Sequence, residues 1–103
     1  MALLHYKEEW TEGERRWNEA ASLTLHRIRA KEGLTIRGLA GHIGMSKGAV
    51  QGAEHGGNTV TINFLSRVAN SFGMSIEDLI YEVVTQMGNP DHYLADIEDA
   101  YDV

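Results

Sequence analysis

The chain has 103 residues, of which 43% are hydrophobic, and a net charge of −6 at pH 7. This length suits one small globular domain with additional segments. No apolar run approaches the length of a membrane-spanning helix, and the N-terminus lacks the basic and apolar regions of a secretory signal. The absence of cysteine excludes disulfides and thiolate metal sites and fits the cytoplasmic location that we expect.

The negative charge lies mainly outside the central part of the chain. Residues 1–24 carry a net charge of −2, residues 25–87 a charge of +1, and residues 88–103 a charge of −5. A nucleic-acid partner therefore remains compatible with the near-neutral centre, although phosphate neutralisation dominates such affinities. The five histidines are scattered without a pair at ligand spacing, so we expect neither a metal nor another cofactor.

An aromatic segment opens the chain and is predicted to form an N-terminal arm over residues 1–17. Tyr6, Trp10 and Trp17 share one face if residues 7–17 are helical. We expect these side chains to pack on the domain or on a second subunit. The alternative is a platform on which single-stranded bases stack.

A helix-turn-helix domain is predicted for residues 18–87. Its first core helix runs from about residue 18 to 31 and ends at Gly33, which favours a C-terminal cap. Helix two follows at about 36–42, and Gly44 supplies the positive φ that ends it. Ser46 is a good N-cap for a further short helix at about 46–54. Two short helices joined by a tight glycine-containing turn form a helix-turn-helix.

Two more helices complete the predicted domain. Helix four covers about residues 61–72, and a fifth helix opens at Ser75 with Asp78 three residues later. The fifth helix carries more apolar surface than one small core requires. Its excess residues either form a dimer interface or pack on the N-terminal arm. The predicted interface residues are Ile76, Ile80, Val83 and Val84.

An acidic C-terminal tail is predicted for residues 88–103, after the break at Gly88-Asn89-Pro90. Leu94, Ile97 and Tyr101 share one helical face, with acidic residues opposite. We expect a solvated or packing role for this tail. A swapped dimer contact and an anionic strip that covers a DNA-binding face are the alternatives.

An ordered set of residues between about 25 and 80 resembles the Cro/C1-type, lambda-repressor-like helix-turn-helix family. The set comprises Ile28, Arg29, Gly33, Leu34-Thr35, Leu39-Ala40, Ile43-Gly44-Met45-Ser46, Val50, Glu54, Gly56, Thr61-Ile62, Leu65, Val68-Ala69, Phe72-Gly73-Met74-Ser75 and Asp78-Leu79-Ile80. The resemblance implies an all-α, compact five-helix DNA-binding domain, here with an N-terminal aromatic arm and a C-terminal acidic extension. It also implies a structural ion pair between Arg29 and Glu54.

The same resemblance assigns roles at a DNA interface. In this family the second helix lies across the phosphate backbone and the third, the recognition helix, enters the major groove. The implied base contacts are Lys47, Gly48, Ala49, Gln51 and Gly52. The implied phosphate contacts are Thr35, His55, Asn58, Thr59 and Asn63. A lysine can donate to guanine, a glutamine can bond adenine, and an alanine can contact a thymine methyl group.

The sequence departs from the family pattern at three positions. Ile36 stands where the family commonly has a phosphate-binding glutamine, and Gly48 and Gly52 stand where long polar base readers are usual. Two interpretations remain open. Either the backbone approaches DNA or a partner closely, or base readout has been largely lost.

Two hypotheses for the function follow. The first is a sequence-specific regulator of transcription, a repressor, which binds double-stranded DNA as a homodimer on an inverted repeat. The second is a protein-interaction module, antitoxin-like or accessory, in which DNA readout is weak or lost. No catalytic residues are predicted, because the sequence contains neither a glycine-rich phosphate loop after a strand nor a nucleophile elbow.

Overall fold

A computed structural model describes residues 10–88 of the chain. Within this range the chain forms five α-helices and no strands, which confirms the predicted all-α fold. The helices are α1 (Glu12–Lys31), α2 (Ile36–Ile43), α3 (Lys47–Glu54), α4 (Ile62–Ser71) and α5 (Ile76–Met87). The predictions for Tyr6 and for residues 89–103 lie outside the described residues.

The first helix begins six residues earlier than the domain start predicted at residue 18. Thr11 caps it through a reciprocal capping box: its hydroxyl accepts from the Glu14 N–H at 3.1 Å, and its own N–H donates to Glu14 Oε1 at 2.8 Å. Gly13 lies in the first turn, where this cap satisfies backbone donors that would otherwise lack partners. The predicted boundary between residues 17 and 18 therefore falls inside one continuous helix.

The N-terminal half of α1 is joined to the segment that precedes α4. Trp17 is half-buried, and its indole Nε1 donates to the Val60 carbonyl at 2.9 Å. Asn18 is buried, and its Oδ1 accepts from the Val60 N–H at 2.7 Å. Trp17 thus packs on the domain, which is one of the roles expected for the N-terminal aromatic residues.

The remaining helices begin and end where short-range signals in the sequence indicate. Gly33 and Gly44 adopt φ values of 69° and 72°, the left-handed conformation that ends a helix at low steric cost. The N-cap hydroxyls of α2 to α5 each accept from a backbone N–H three residues later. These N-caps are Thr35, Ser46, Thr61 and Ser75.

One core contains buried residues from all five helices. Its largest apolar side chains are Leu23, Leu25, Leu39, Leu65 and Leu79. Val83 belongs to this core as well and is completely buried within a single chain. The prediction that Val83 contacts a second subunit is therefore wrong. Its position four residues after Leu79 directs it toward the core, because residues at this spacing share a helix face.

Helix α5 packs against α1. Arg16 Nη2, in the N-terminal half of α1, donates to the carbonyl of Met87 at the end of α5 at 2.9 Å. A cleft of about 560 Å³ separates the C-terminal half of α1 from α5. Its walls include Ile28, Phe72 and Tyr81, but no residue of α2 or α3.

Candidate nucleic-acid interface

The two helices α2 and α3 form a unit whose inner side is fixed by the core. Leu39 and Ile43 of α2 and Val50 of α3 are almost completely buried. Between the helices, the left-handed Gly44 reverses the chain, and the Ser46 hydroxyl accepts from the Ala49 N–H at 3.1 Å. The outer side of α3 is therefore presented to solvent in a single orientation.

The outer side of α3 combines two glycines with two long polar side chains. A helix turns by about 100° per residue, which places Gly48 and Gly52 opposite the buried Val50. Lys47 and Gln51 are exposed on one flank of this glycine line, and Ala49 is half-buried on the other flank. The predicted base contacts thus include one exposed cation, one exposed amide and a strip of backbone.

The structure gives a steric reason for glycine at position 52. A Cβ atom at Gly52 would overlap the Asn58 carboxamide and would lie 2.7 Å from Asn58 Cγ. The Asn58 N–H also donates to the Gly52 carbonyl at 3.2 Å. The loop after α3 therefore folds back over the end of this helix, and a side chain at position 52 would displace the Asn58 carboxamide.

Gly48 has no comparable neighbour. Apart from its chain neighbours and the backbone of its own helix, no atom lies within 4 Å of a Cβ built at this position, and its φ is not positive. Replacing it with alanine is expected to stabilise the fold by roughly 0.5–1 kcal/mol, because glycine is a poorer helix former than alanine. Urea denaturation of Gly48→Ala measures this change. Gly52→Ala is the matched variant and should gain less, since its methyl group displaces Asn58.

A buried ion pair fixes the inner end of α3 to α1. Arg29 Nε donates to Glu54 Oε2 at 2.7 Å, so the predicted pair is present. The Glu54 side chain is completely buried. Arg29 Nη1 donates to the Leu34 carbonyl at 3.0 Å, which adds the turn before α2 to the same contact.

Two further groups complete this contact. Arg29 Nη2 lies 3.0 Å from His26 Nδ1, and since a guanidinium only donates, this ring nitrogen accepts. His26 Nδ1 also lies 3.3 Å from Glu54 Oε1, but a nitrogen that accepts from Arg29 does not donate to this oxygen. The buried Ser22 hydroxyl donates to the Ala53 carbonyl at 2.5 Å. Together these bonds hold α3 against α1 at its C-terminal end.

The predicted phosphate contacts lie on three segments. Thr35 is exposed at the start of α2, where its hydroxyl accepts from the Gly38 N–H at 2.9 Å. Asn58 and Thr59 are exposed in the loop after α3, Asn63 is exposed on α4, and His55 is half-buried at the end of α3. Each therefore reaches solvent at least in part.

The isoleucine at position 36 has a packing role. Ile36 is the first residue of α2, is half-buried and packs against the core cluster. An apolar side chain there contributes to the core rather than to a polar surface.

The outer surface of α5 is partly apolar. Ile76 and Ile80 are half-buried, whereas Val84 is 53% exposed. Tyr81, which follows Ile80 in the sequence, is 74% exposed. A helix turn of about 100° per residue places Val84 and the α1–α5 cleft on different sides of α5.

Two kinds of feature are not found among residues 10–88. No group of three or more potential metal-ligating side chains occurs in this range. In the same range, no helix combines the length and the apolar character needed to cross a bilayer.

Five helices, with α2 and α3 joined through a left-handed glycine and α3 exposed on its outer side, form the framework of helix-turn-helix DNA-binding domains. The family model described as helix-turn-helix matches residues 25–79, which is more than half of the chain. The chain belongs to this family, of the Cro/C1 type. Its fold and family are those of transcription regulators.

Two solved structures of the clp gene regulator ClgR from Corynebacterium glutamicum are similar to this chain. One is 31% identical, with a TM-score of 0.60, and the match covers 69% of this chain and 92% of that one. The other is 28% identical, with a TM-score of 0.63, and the match covers 81% of this chain and 90% of that one. The comparison with curated proteins gave no match.

Proposed function

We propose that this protein is a cytoplasmic transcription regulator that binds a specific double-stranded DNA sequence and represses by occupying it. The single observation that carries the proposal is the outer face of α3, where Lys47 and Gln51 are exposed while the inner face is fixed by the core and by Glu54. A rigid helix with exposed donors is what readout of base edges in the major groove requires. The similarity to a clp gene regulator supports a role in transcription.

The proposed contacts divide into two sets. Lys47 donates to guanine O6 or N7, Gln51 bonds adenine, and Ala49 contacts a thymine methyl group. Contacts to phosphates position the domain without reading sequence, and the residues proposed for them are Thr35, His55, Thr59 and Asn63. Gly48 allows the α3 backbone to approach the floor of the groove, since nothing projects from it.

We expect binding as a dimer because each subunit has few residues that can contact base edges. A good bidentate base contact discriminates by about 1–3 kcal/mol, and one subunit offers few such contacts. Two subunits on an inverted repeat double this number. The apolar outer side of α5, with Val84 and Ile80, is the proposed subunit interface.

The proposed interface can be tested with two adjacent valines. Val84→Asp is expected to weaken self-association by at least about 100-fold, because the interface would then bury an unpaired charge. Val83→Ala should instead lower the free energy of unfolding by about 2 kcal/mol, since Val83 is buried in the core. Sedimentation equilibrium and urea denaturation separate the two effects. A Val84→Asp protein that self-associates like the wild type would contradict this interface.

Fluorescence anisotropy with the DNA that flanks the protein's own gene tests the main proposal. The expected result is binding to this duplex at a concentration at which random duplex of the same length stays free. Affinity should fall as salt rises, with a shallow slope because the helical domain offers few cations. Preferential binding that is insensitive to salt would contradict a contribution of the domain's lysines and arginines to phosphate neutralisation.

A protein-interaction module is the second candidate. The bare backbone at Gly48 favours it, because a helix can dock closely on another protein where no side chain projects. This alternative predicts equal and negligible binding of both duplexes. Co-purification from the native host would then identify the protein partner.

A further inference from the structure

The carboxamide of Asn58 lies where a side chain of residue 52 would be, on the side of α3 that faces away from the core. Gly52 lies on the side of the helix opposite Val50, so a side chain at this position would project directly away from the core. Asn58 fills the position where the Cβ of that side chain would be. The loop therefore presents a polar group where the helix itself has none.

The loop that carries Asn58 is held at both ends. At its start, Gly56 adopts a φ of 78°, and the Asn58 N–H donates to the Gly52 carbonyl at 3.2 Å. At its end, the Val60 N–H donates to the buried Asn18 at 2.7 Å, and Trp17 donates to the Val60 carbonyl. Hydrogen bonds thus fix the loop on both sides of Asn58.

We propose that Asn58 is a base-reading residue that replaces the absent side chain at Gly52. This assignment rests on the proposed DNA-binding function and changes the role of Asn58 from a phosphate contact to a specificity determinant. A carboxamide offers one donor group and one acceptor, which match the N7 and N6 positions of adenine in the major groove. The expected ligand of Asn58 is an adenine in each half-site.

Two observations favour a base over a phosphate as this ligand. The Asn58 amide lies beside Gly52, on the side of α3 that faces away from the core. This side faces the floor of the major groove when α3 is inserted. Asn58 is exposed, and within residues 10–88 no hydrogen bond of its carboxamide is found. The side chain is therefore not committed to another polar partner in this part of the protein.

The test is selection of preferred sequences from a pool of randomised duplexes by four proteins. These are the wild type, Asn58→Ala, Gly52→Ala and Asn70→Ala, the last being a matched control with an exposed asparagine on α4. Asn58→Ala is expected to reduce the preference for adenine at one symmetric pair of positions by roughly 5- to 150-fold. Preferences at the other positions should remain. Gly52→Ala should affect the same pair, because its methyl group displaces the Asn58 amide while every polar side chain is kept.

The outcomes separate this assignment from the function on which it rests. If the wild type enriches no sequence, both the proposed function and the role of Asn58 are overturned. If the wild type enriches a sequence and Asn58→Ala weakens binding to all sequences evenly, Asn58 is a phosphate contact and only the assignment fails. The salt slope stays unchanged in that case, because a neutral amide displaces no counterion. Unchanged preferences in Asn58→Ala, together with a lower melting temperature, would mean that Asn58 serves only the loop.

Discussion

Replacing Arg29 with alanine is expected to destabilise the protein by about 3–5 kcal/mol, the largest effect among the single substitutions considered. The substitution leaves the completely buried Glu54 carboxylate without its 2.7 Å partner, and an uncompensated buried charge is costly. It also removes the bond to the Leu34 carbonyl. Because a small domain has only about 5–15 kcal/mol of stability, urea denaturation should show a large shift of the midpoint.

A double substitution provides the control for this prediction. Arg29→Met with Glu54→Met removes both charges and keeps apolar volume, so it should be less destabilised than Arg29→Ala alone. The remaining loss would measure the other bonds of Arg29. A loss of less than about 1 kcal/mol in Arg29→Ala would show that the pair does not hold α3 in place.

Replacing Lys47 or Gln51 with alanine is expected to give the largest effect on DNA binding. Each lost base contact weakens discrimination by about 1–3 kcal/mol in one subunit, and a symmetric dimer loses it twice. The affinity for the preferred duplex should therefore fall by roughly 30-fold or more. Both side chains are exposed, so the free energy of unfolding should change by no more than about 0.5 kcal/mol.

Lys31→Ala is the matched control for Lys47→Ala, since it removes the same charge from an exposed site on α1 that lines the α1–α5 cleft. It should weaken binding only slightly and equally for all duplexes. Anisotropy titrations with preferred and random duplexes compare the two variants. Equal losses for both lysines would show that Lys47 acts through general charge and does not read a base.

The short-range signals of this sequence predicted most of the fold. Gly33 and Gly44 were expected to end helices, and Ser46 to begin one, because these effects depend on backbone conformation and on bonds within one turn. The start of α1 differs from the predicted one: the helix begins at Glu12, where the capping box at Thr11 offsets the low helix propensity of Gly13. Both are local features, so the information was present in the sequence.

The sequence by itself also determined the pairing of Arg29 with Glu54, through the resemblance to the family, and the residue types available on α3. It did not determine what lies beside those residues. The overlap between Asn58 and Gly52, the burial of Val83 next to the exposed Val84, and the packing of Ile36 were decided by the tertiary structure. Periodicity assigns a residue to a helix face, but the neighbours of that face come from other segments, and their approach depends on how all five helices pack together.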